Sequence, residues 1–326
     1  MGDGVSAVRS FGRGCALVGA FAGAFADAFP GALVGALAGM LVLAGCASTP
    51  RPSLTPPALH FLAPATLNEI RWAEHPLVLL GEVHDNAHGH QLRAEALAKW
   101  LAGGARPTLI LEQFDRERQG AIDSVRERGG DADAIIAAGE GAAARPSVAS
   151  PSVASPSAVG SSGWAWTYYK PMIELAVRYR LPLIAGNVSR ADTRKIIGQG
   201  LAAHGFAGDV PADIQAAQTQ GLVDGHCGAL DLATARTMVP AQIARDQFMA
   251  QMIEKHRSNG VVLIAGNGHV RRDIGVPRWL SAESQSRAIA VGYVEVDSGN
   301  KVPEFDVVIE IPRQIRTDPC EVFRER

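Results

Sequence analysis

Short apolar runs alternate with amphipathic stretches along most of this chain. Runs bounded by turn-forming residues predict strands at 77–80, 108–111, 183–185, 261–265 and 288–296. Helical spacing of apolar positions predicts helices over 90–101, within 115–138, from Pro171, over 191–201 and over 240–256. The strands are leucine-rich and β-branched, as strands buried on both faces are. The alternation predicts an α/β domain with a mostly parallel sheet flanked by helices.

Composition divides the 326 residues into further parts. Residues 1–45 form a modest basic start followed by a long apolar run, which predicts a signal peptide. Residues 46–65 are rich in Pro, Ser and Thr and predict a linker. The single α/β domain is then expected over 66–312, with a C-terminal tail over 313–326. Residues 139–162 repeat the unit SVASP without hydrophobic periodicity and predict a disordered insertion within that domain.

The apolar run ends in the motif LAGC at 43–46, which resembles a bacterial lipobox. The resemblance implies cleavage before Cys46 and acylation of its thiol, for example with palmitate. The alternative is a plain transmembrane anchor, since the run is long enough to span a bilayer, although Asp27 and Pro30 interrupt it. Either way the folded part is expected outside the cytoplasm, and the lipoprotein interpretation is favoured. It predicts a bacterial cell-envelope protein at the outer membrane, facing the periplasm or the surface.

Charge and cysteine content limit the classes of partner. The formal net charge is −2 and aromatic residues make up 6% of the chain, so neither a basic surface nor a base-stacking platform for nucleic acid is expected. Once Cys15 is removed and Cys46 acylated, only Cys227 and Cys320 are left. They could pair in an oxidising compartment or remain as structural thiols, and the sequence does not decide between the two.

The same motif occurs twice in the chain, and each copy is an apolar strand followed directly by Gly-x-x-His. The first copy ends at His84 and includes Glu82, and the second ends at His269. A third strand runs into Glu112, where a carboxylate is costly unless it is paired or ligated. Ligands of open α/β sheets bind beyond the carboxyl ends of strands, so these four side chains are expected in one cleft. Their chemistry suits a divalent metal or acid–base catalysis.

Structural alternatives exist for each of these residues. A His in this position can cap a helix or satisfy a loop carbonyl. Glu112 could form an ion pair with Arg116 or with one of the two arginines that follow His269. His88 and His90 stand at the front of a predicted solvent-facing helix and are expected at the surface.

Five segments in order carry a resemblance to a known family. They are LLGEVHDN, LILEQF, WxxYYKPMIELA, LPLIAGN and VLIAGNGHVRRDIGVPRWL, and they lie within 77–296, apart from the insertion. Together, and behind a lipobox, they resemble the ChaN-like haem-binding lipoproteins of the wider Tiki/TraB and erythromycin-esterase-like superfamily. The single motif GxxH is weak, whereas the ordered set is specific.

The resemblance implies a surface-tethered binding protein associated with iron or haem uptake, with haem held at a dimer contact through tyrosine. The Tiki branch implies an alternative, a metal-dependent hydrolase. Matched by motif, its two histidines are His84 and His269, and its acid is Glu82 or Glu112. The resemblance does not indicate which tyrosine would bind iron.

Residue chemistry narrows the choice among the four tyrosines. Phenolate is a hard anionic donor and a known axial ligand of ferric haem. Tyr179 lies on an apolar helical face and Tyr293 in a strand, which favours core positions. Tyr168 and Tyr169 begin a helix beside Trp164, in a patch that could cover a porphyrin. Tyr169 is the first predicted haem ligand, and its alternative role is a hydrophobic brace for the helix.

Arg271 and Arg272 follow the second Gly-x-x-His and are predicted to hold haem propionates or a substrate carboxylate. They could equally pair with Glu112. The leading hypothesis is a lipid-anchored haem-binding protein, expected as a homodimer if the resemblance extends to assembly. A binding protein is thus favoured over an enzyme, and the alternative is a hydrolase with a divalent metal ion and an activated water.

Overall fold

The computed structural model describes residues 74–141, 163–296, 305–316 and 320–321, all within one unit, Pro56–Arg326. The predicted signal peptide, the lipobox and the linker lie outside the described residues. So does 142–162, most of the predicted insertion, whereas Gly139 and Glu140 complete a helix. Within the described ranges no helix is both long and apolar enough to cross a membrane.

Six described strands form one sheet in which every neighbouring pair is parallel. The strands are β1 (Leu77–Leu80), β2 (Thr108–Asp115), β3 (Leu183–Asn187), β4 (Val261–Ile264), β5 (Ala288–Glu295) and β6 (Val307–Ile311). Their order across the sheet is β3-β2-β4-β1-β5-β6. The predicted α/β class with a mostly parallel sheet is therefore confirmed.

Helices connect the strands and cover the sheet. The described ones are α1 (Ala87–Ala102), α2 (Gln119–Glu127), α3 (Ala132–Glu140), α4 (Trp166–Arg178), α5 (Arg190–Gln199), α6 (Ala212–Gly225), α7 (Leu232–His256), α8 (Asn267–Val270) and α9 (Ala282–Arg287). The sequence pattern missed α6, β6 and the two short helices α8 and α9. It also placed the start of α7 near Pro240, whereas the helix begins at Leu232. The Asp231 side chain caps it by accepting a hydrogen bond from the backbone of Thr234.

The predicted single helical region after β2 is two helices. Gly129 adopts φ +74°, a left-handed conformation that ends α2, and the Asp131 side chain then accepts a hydrogen bond from the backbone of Ala134 to begin α3. Strand β2 also continues four residues past the predicted Leu111, through Asp115. Glu112 therefore lies within a strand and not just beyond one.

The central strands are buried on both faces, as their composition predicted. In β1, Val78 and Leu80 pack into one apolar cluster, and Leu77 and Leu79 pack into the cluster on the other face. This two-sided burial explains the continuous apolar run, because every side chain of the strand faces a helical layer. It also fixes the position of the polar residues that follow each strand.

Candidate functional site

The structure brings Glu82, His84, Glu112 and His269 together at the carboxyl edge of the sheet. Strand β4 lies between β1 and β2, with Leu80 and Leu111 both in register with Ile264. The residues that follow these positions therefore meet at one edge. A β-carbon on Gly266 would lie 3.0 Å from His84 Nε2 and 3.7 Å from Glu112 Oε2, which shows how closely the three segments approach. What this cluster binds stays a prediction.

Glu82 is the centre of a buried polar network. Its Oε1 accepts hydrogen bonds from His84 Nδ1 at 2.7 Å, from the Tyr169 hydroxyl at 2.8 Å and from Gln113 Nε2 at 2.9 Å. Its Oε2 lies 3.1 Å from Nη2 of Arg93, whose side chain is fully buried. A buried carboxylate requires such partners, and here they come from four different parts of the chain.

The buried arginine keeps this carboxylate ionised. Burial raises the pKa of Glu82, but the positive charge of Arg93 and the hydrogen bond from His84 outweigh it, and the pKa is lowered. Arg93 also donates from Nη1 to the carbonyl of Gly81 at 3.0 Å and lies 5.0 Å from the centre of the Tyr293 ring. Arg93 thus contacts the first Gly-x-x-His motif at two points, the side chain of Glu82 and the backbone carbonyl of Gly81.

His90 was expected at the surface but is buried. Its Nε2 donates to the backbone carbonyl of His84 at 2.9 Å, and its ring stacks on Tyr168 with centroids 4.8 Å apart. Burial and the neighbouring Arg93 lower the pKa of His90 to about 4, so the ring is neutral at pH 7. The reason for the error is that α1 begins at Ala87, which turns His90 inward while His88 stays exposed.

His84 is the accessible imidazole of the cluster, with 47% of its side chain exposed. Its Nδ1 donates to Glu82, and its ring meets Trp164 edge-on at 4.9 Å between centroids. Burial lowers the pKa of His84, but the hydrogen bond to Glu82 and the charge of Glu112 outweigh this, and the pKa is raised. The other nitrogen, Nε2, faces the bare Cα of Gly266.

His269 lies between two carboxylates. Its Nδ1 donates to Asp246 Oδ1 at 2.6 Å, and its Nε2 lies 3.4 Å from Glu112 Oε1. Burial lowers the pKa of His269, but Glu112 and Asp246 raise it to about 10, so the ring is an imidazolium at neutral pH. Burial raises the pKa of Glu112, but the charge of His269 and its hydrogen bond outweigh this and lower the pKa to about 2. Glu112 also accepts a hydrogen bond from the backbone of Gly266 at 2.7 Å.

An open cavity of about 670 Å³ borders this cluster. That volume is in the range of small-molecule and cofactor sites. One wall comes from the segments after β1 and β4, and another comes from α6. Its lining includes Glu82, Val83, His84, Asp85, Gln218, Gly221, Leu222, Gln242, Gly266, Asn267, Gly268, His269, Arg271, Ile274 and Arg316.

The aromatic residues predicted to cover a porphyrin lie beside the cluster, and they differ in how far each side chain is buried. Tyr169 has none of its surface exposed, and its hydroxyl is committed to Glu82. Burial and the Glu82 carboxylate raise the pKa of Tyr169, so a phenolate is strongly disfavoured there. Tyr168 and Trp164 are only partly buried. The sequence allowed Tyr169 an alternative role in packing against the helix. In the structure its ring is buried and its hydroxyl also donates a hydrogen bond to Glu82.

The two arginines after His269 diverge. Arg271 lines the cavity and forms an ion pair with Asp273. Arg272 instead donates to Asp306 at 2.5 Å, to the carbonyl of Gln285 in α9 and to the carbonyl of Ala288 at the start of β5, and it is not part of the cavity lining. The haem contact predicted for Arg272 stays a prediction, and in this structure its guanidinium joins the start of β5 to Asp306, the residue before β6. Neither arginine forms the predicted pair with Glu112, whose partner is His269, and Arg116 pairs with Asp192.

The divalent-metal alternative is not supported. Within the described ranges, no group of three or more His, Cys, Asp or Glu side chains is arranged to hold a metal ion. The four predicted ligands are instead paired with one another or with Arg93, Gln113 and Tyr169.

Sequence reasoning missed several residues of the cluster. Arg93 and Asp246 lie in the middle of helices, where an isolated charge is usually solvated, but both are fully buried. Asp246 stands between Arg245 and Gln247 in α7, so the sequence gives no signal of its burial. Arg316, from the predicted tail, reaches the cavity rim and pairs with Asp85 and Glu295. The contact between Arg316 and Asp85 joins residues 231 apart in sequence, and the contact between Asp246 and His269 joins α7 to α8.

The two remaining cysteines pair. A disulfide joins Cys227, directly after α6, to Cys320, with the Cα atoms 5.6 Å apart. It ties the cavity wall formed by α6 to the C-terminal segment that carries Arg316.

Comparisons with known proteins agree with this architecture. Residues 70–280 match the model of the family described as haem-binding uptake, Tiki superfamily, ChaN. Among solved structures, ChaN of Campylobacter jejuni, described with cofacial haem binding, is 16% identical to this chain. The match covers 72% of this chain and 87% of that chain, with a TM-score of 0.56. At this identity the likeness shows the fold alone.

Two further structures are more distant. The type III effector HopBA1 is 14% identical, with 79% of this chain and all of that chain covered and a TM-score of 0.45. The erythromycin esterase EreC is 12% identical, with 69% of this chain and 71% of that chain covered and a TM-score of 0.35. A search of curated proteins found no match.

Proposed function

The chain belongs to the haem-binding uptake family of the Tiki superfamily, ChaN, and on that premise we propose that it binds haem in the cavity beside His84. The observation that carries the proposal is an exposed imidazole at the wall of a cofactor-sized cavity, with its other nitrogen held by a buried carboxylate. Histidines that bind metals usually donate their second ring N–H in this way.

The residues of the cavity fit haem chemically. Bound haem supplies a ferric iron that accepts a lone pair from a protein ligand. Because Glu82 can only accept a hydrogen bond, the proton of His84 is held on Nδ1 and the lone pair on Nε2. A side chain at Gly266 would approach that nitrogen to 3.0 Å, so the glycine keeps it accessible. Trp164 meets the same ring edge-on from outside the cavity lining, with 4.9 Å between centroids.

His84 is a better candidate ligand than Tyr169 in this structure. To bind iron, Tyr169 would have to leave a fully buried position and lose its proton beside an ionised Glu82. Burial and Glu82 both raise its pKa, so both oppose that step. His84 needs no such rearrangement, and Tyr169 remains the competing candidate that the experiment must exclude.

Arg271 is the proposed contact for a haem propionate. It lines the cavity, is partly exposed and has one carboxylate partner, Asp273. An arginine fork suits a carboxylate geometrically as well as electrostatically. His269 lies in the same lining, where its charge is offset by Glu112 and Asp246, so Arg271 is the proposed propionate contact.

Titration of the purified protein with haemin, followed by absorbance, tests the ligand. The parent is expected to give a spectrum of histidine-ligated ferric haem. His84→Ala should weaken binding at least tenfold and remove that spectrum, whereas Tyr169→Phe should keep it. A parent that does not bind haemin would contradict the proposed function. A spectrum lost in Tyr169→Phe and kept in His84→Ala would assign the iron to tyrosine.

A pair of glycine variants tests the position of the site. Gly266→Ala adds a methyl group 3.0 Å from His84 Nε2 and should lower haemin affinity. Gly268→Ala adds the same group two residues away, where no described atom lies within 4 Å, and should leave the protein fold unaffected. Equal affinities for parent and Gly266→Ala would place the iron elsewhere.

We also propose that the protein is lipid-anchored through Cys46 at the bacterial cell envelope, serves iron or haem uptake and acts as a homodimer. The disulfide between Cys227 and Cys320 supports an oxidising compartment outside the cytoplasm. Labelling with a fatty-acid analogue should mark the parent and not Cys46→Ser, and the variant should leave the membrane fraction. Sedimentation with and without haemin would measure the dimer.

A further inference from the structure

The C-terminal segment reaches the cavity through Arg316. This side chain lies in the cavity lining and pairs with two carboxylates. Its guanidinium donates to Asp85 at 2.7 and 2.8 Å and to Glu295 at 2.6 and 2.8 Å. Asp85 directly follows His84 in the segment after β1, and Glu295 ends β5. Arg316 therefore joins the C-terminal segment to one wall of the cavity.

Two further contacts fix the residues before Arg316 to the same place. Asn86 donates from Nδ2 to the carbonyl of Pro312 at 2.8 Å and to Glu295 at 2.8 Å. The backbone of Gln314 also donates to Glu295, at 2.9 Å. The Glu295 side chain is only 8% exposed, so water and salt screen these bonds less than they screen a surface pair. The residues before Arg316 are thus held to the end of β5 and to the residue that precedes α1.

Beyond Arg316 the chain is joined to another wall of the cavity. Cys320 forms the disulfide with Cys227. The backbone of Cys227 donates to the carbonyl of Asp224 at 2.9 Å, which fixes the disulfide to the last turn of α6. Three earlier residues of this helix line the cavity, namely Gln218, Gly221 and Leu222. The C-terminal segment therefore connects α6 to the segment after β1, and both of these line the same cavity.

The connection between the two ties is short. Arg316 and Cys320 are four residues apart, and an extended chain spans at most about 3.5 Å per residue, so their Cα atoms lie within about 14 Å. Without the Arg316 pairs, the next contact with β5 is the Gln314 amide, six residues from Cys320, and the limit rises to about 21 Å. Without the disulfide, the segment stays on β5 and is released from α6. Both ties are therefore needed, and they act in series.

We propose that Pro312–Arg316 and Cys320 form a strap that holds α6 to the segment after β1 and limits how fast a ligand enters and leaves the cavity. The identity of the ligand, haem, rests on the proposed function, whereas the strap does not depend on which residue binds the iron. Closing segments of this kind gate access to a site. Because both ties join protein groups to each other, the strap should slow association and dissociation by the same factor and leave Kd unchanged.

Amide hydrogen exchange of the ligand-free protein, read by mass spectrometry, tests the closure. Arg316→Gln and the double variant Cys227→Ser with Cys320→Ser should each raise exchange in α6 about tenfold, beyond any change in β4, which reports global unfolding. Because the ties act in series, combining all three substitutions should add nothing to the larger of the two effects. If Arg316→Gln does not fold, Asp85→Asn, at the exposed carboxylate of the same pair, takes its place.

Arg257→Gln is the matched control. Arg257 also pairs with two carboxylates, Glu254 and Glu283, but it lies just before β4 and outside the cavity lining. Its replacement should leave exchange in α6 at the parent's value.

Stopped-flow mixing with haemin and transfer of bound haem to excess apomyoglobin measure the two rates of ligand exchange. Arg316→Gln and the double cysteine variant should each raise association and dissociation together, by about tenfold, with Kd unchanged. Arg257→Gln should change neither rate.

The outcomes separate the strap from the proposed function. A parent that does not bind haemin refutes the proposed function, and hydrogen exchange in α6 still decides the closure. Unchanged exchange in α6 in either variant, or effects of the two variants that add, would overturn the strap. Haemin rates that stay at the parent's values would do so as well, because the strap would then not lie on the ligand's path. Faster dissociation with unchanged association would make Arg316 a contact of the ligand, and that result also overturns the strap.

Discussion

Replacing Tyr169 by Phe removes one hydroxyl and leaves the ring and its packing in place. From the sequence alone the expected cost is within about 1 kcal/mol, the value of one ordinary hydrogen bond. In the structure that hydroxyl donates at 2.8 Å to a fully buried, ionised carboxylate. Hydrogen bonds to charged groups contribute about 1.5–3 kcal/mol. Because Glu82 keeps its other partners, we expect a loss of about 2 kcal/mol in the free energy of unfolding.

Urea unfolding of the haem-free protein, followed by circular dichroism, measures this loss. For a domain of this size, about 2 kcal/mol corresponds to a fall of roughly 4 to 8 °C in Tm. Tyr293→Phe is the matched control, since the Tyr293 hydroxyl is buried and makes no hydrogen bond within the described part of the chain. Its removal should change stability by less than about 0.5 kcal/mol or raise it slightly. Tyr168→Phe, at a partly exposed ring, should also be nearly neutral.

An equal loss in Tyr169→Phe and Tyr293→Phe would refute the reasoning. It would mean that the cost arises from packing around a buried ring, and that the bond to Glu82 contributes nothing. A loss below about 0.5 kcal/mol in Tyr169→Phe would do the same, because a desolvated bond to a carboxylate is expected to exceed that value.

Three further predictions concern other parts of the molecule. The double variant Cys227→Ser with Cys320→Ser should lose about 2–4 kcal/mol in the free energy of unfolding, because the disulfide closes a loop of 93 residues. Urea unfolding without reductant measures this loss, and equal stability of parent and variant would contradict the prediction. Burial lowers the pKa of His269 but Glu112 and Asp246 raise it to about 10, above its ordinary 6.5, so its contribution is complete below pH 6.5 and is lost as the pH rises towards 10. Unfolding measured from pH 6.5 to 10 should show this decline, Asp246→Asn should flatten it, and an unchanged slope would exclude the pair as its source. Deleting residues 142–162 should leave Tm within a few degrees, and a large fall would show that the segment belongs to the core.

Strand positions were predictable because each is a short apolar run with no polar interruption. The run at 77–80 is buried on both faces, so each of its side chains had to be apolar. Strand β6, at the sheet edge, was missed because its apolar run is brief and is interrupted by Glu310. Helix α6 was missed because its stretch from Ala212 to Gly225 has few apolar residues and only a narrow buried side.

The sequence predicted part of the cluster at the carboxyl edge of the sheet. Repetition of strand and Gly-x-x-His indicated that His84 and His269 share an edge of the sheet, since parallel strands end on the same side. The burial of individual side chains could not be predicted in this way. Tyr168 and Tyr169 are adjacent in sequence, but Tyr169 is fully buried and Tyr168 only partly so, because a helix turns consecutive residues by about 100°.

The sequence by itself determined the class of fold, the strand ends that carry polar residues and the family to which the chain belongs. These depend on local patterns, namely the burial of a strand, the turn after it and the order of motifs along the chain. Only the tertiary structure decided the partners of each charge: that Glu82 is held by Arg93, that His269 lies between two carboxylates and that Arg272 pairs with Asp306. The physical reason is that the free energy of a buried charge depends on neighbours from distant segments, and a linear pattern of residues does not specify those distances.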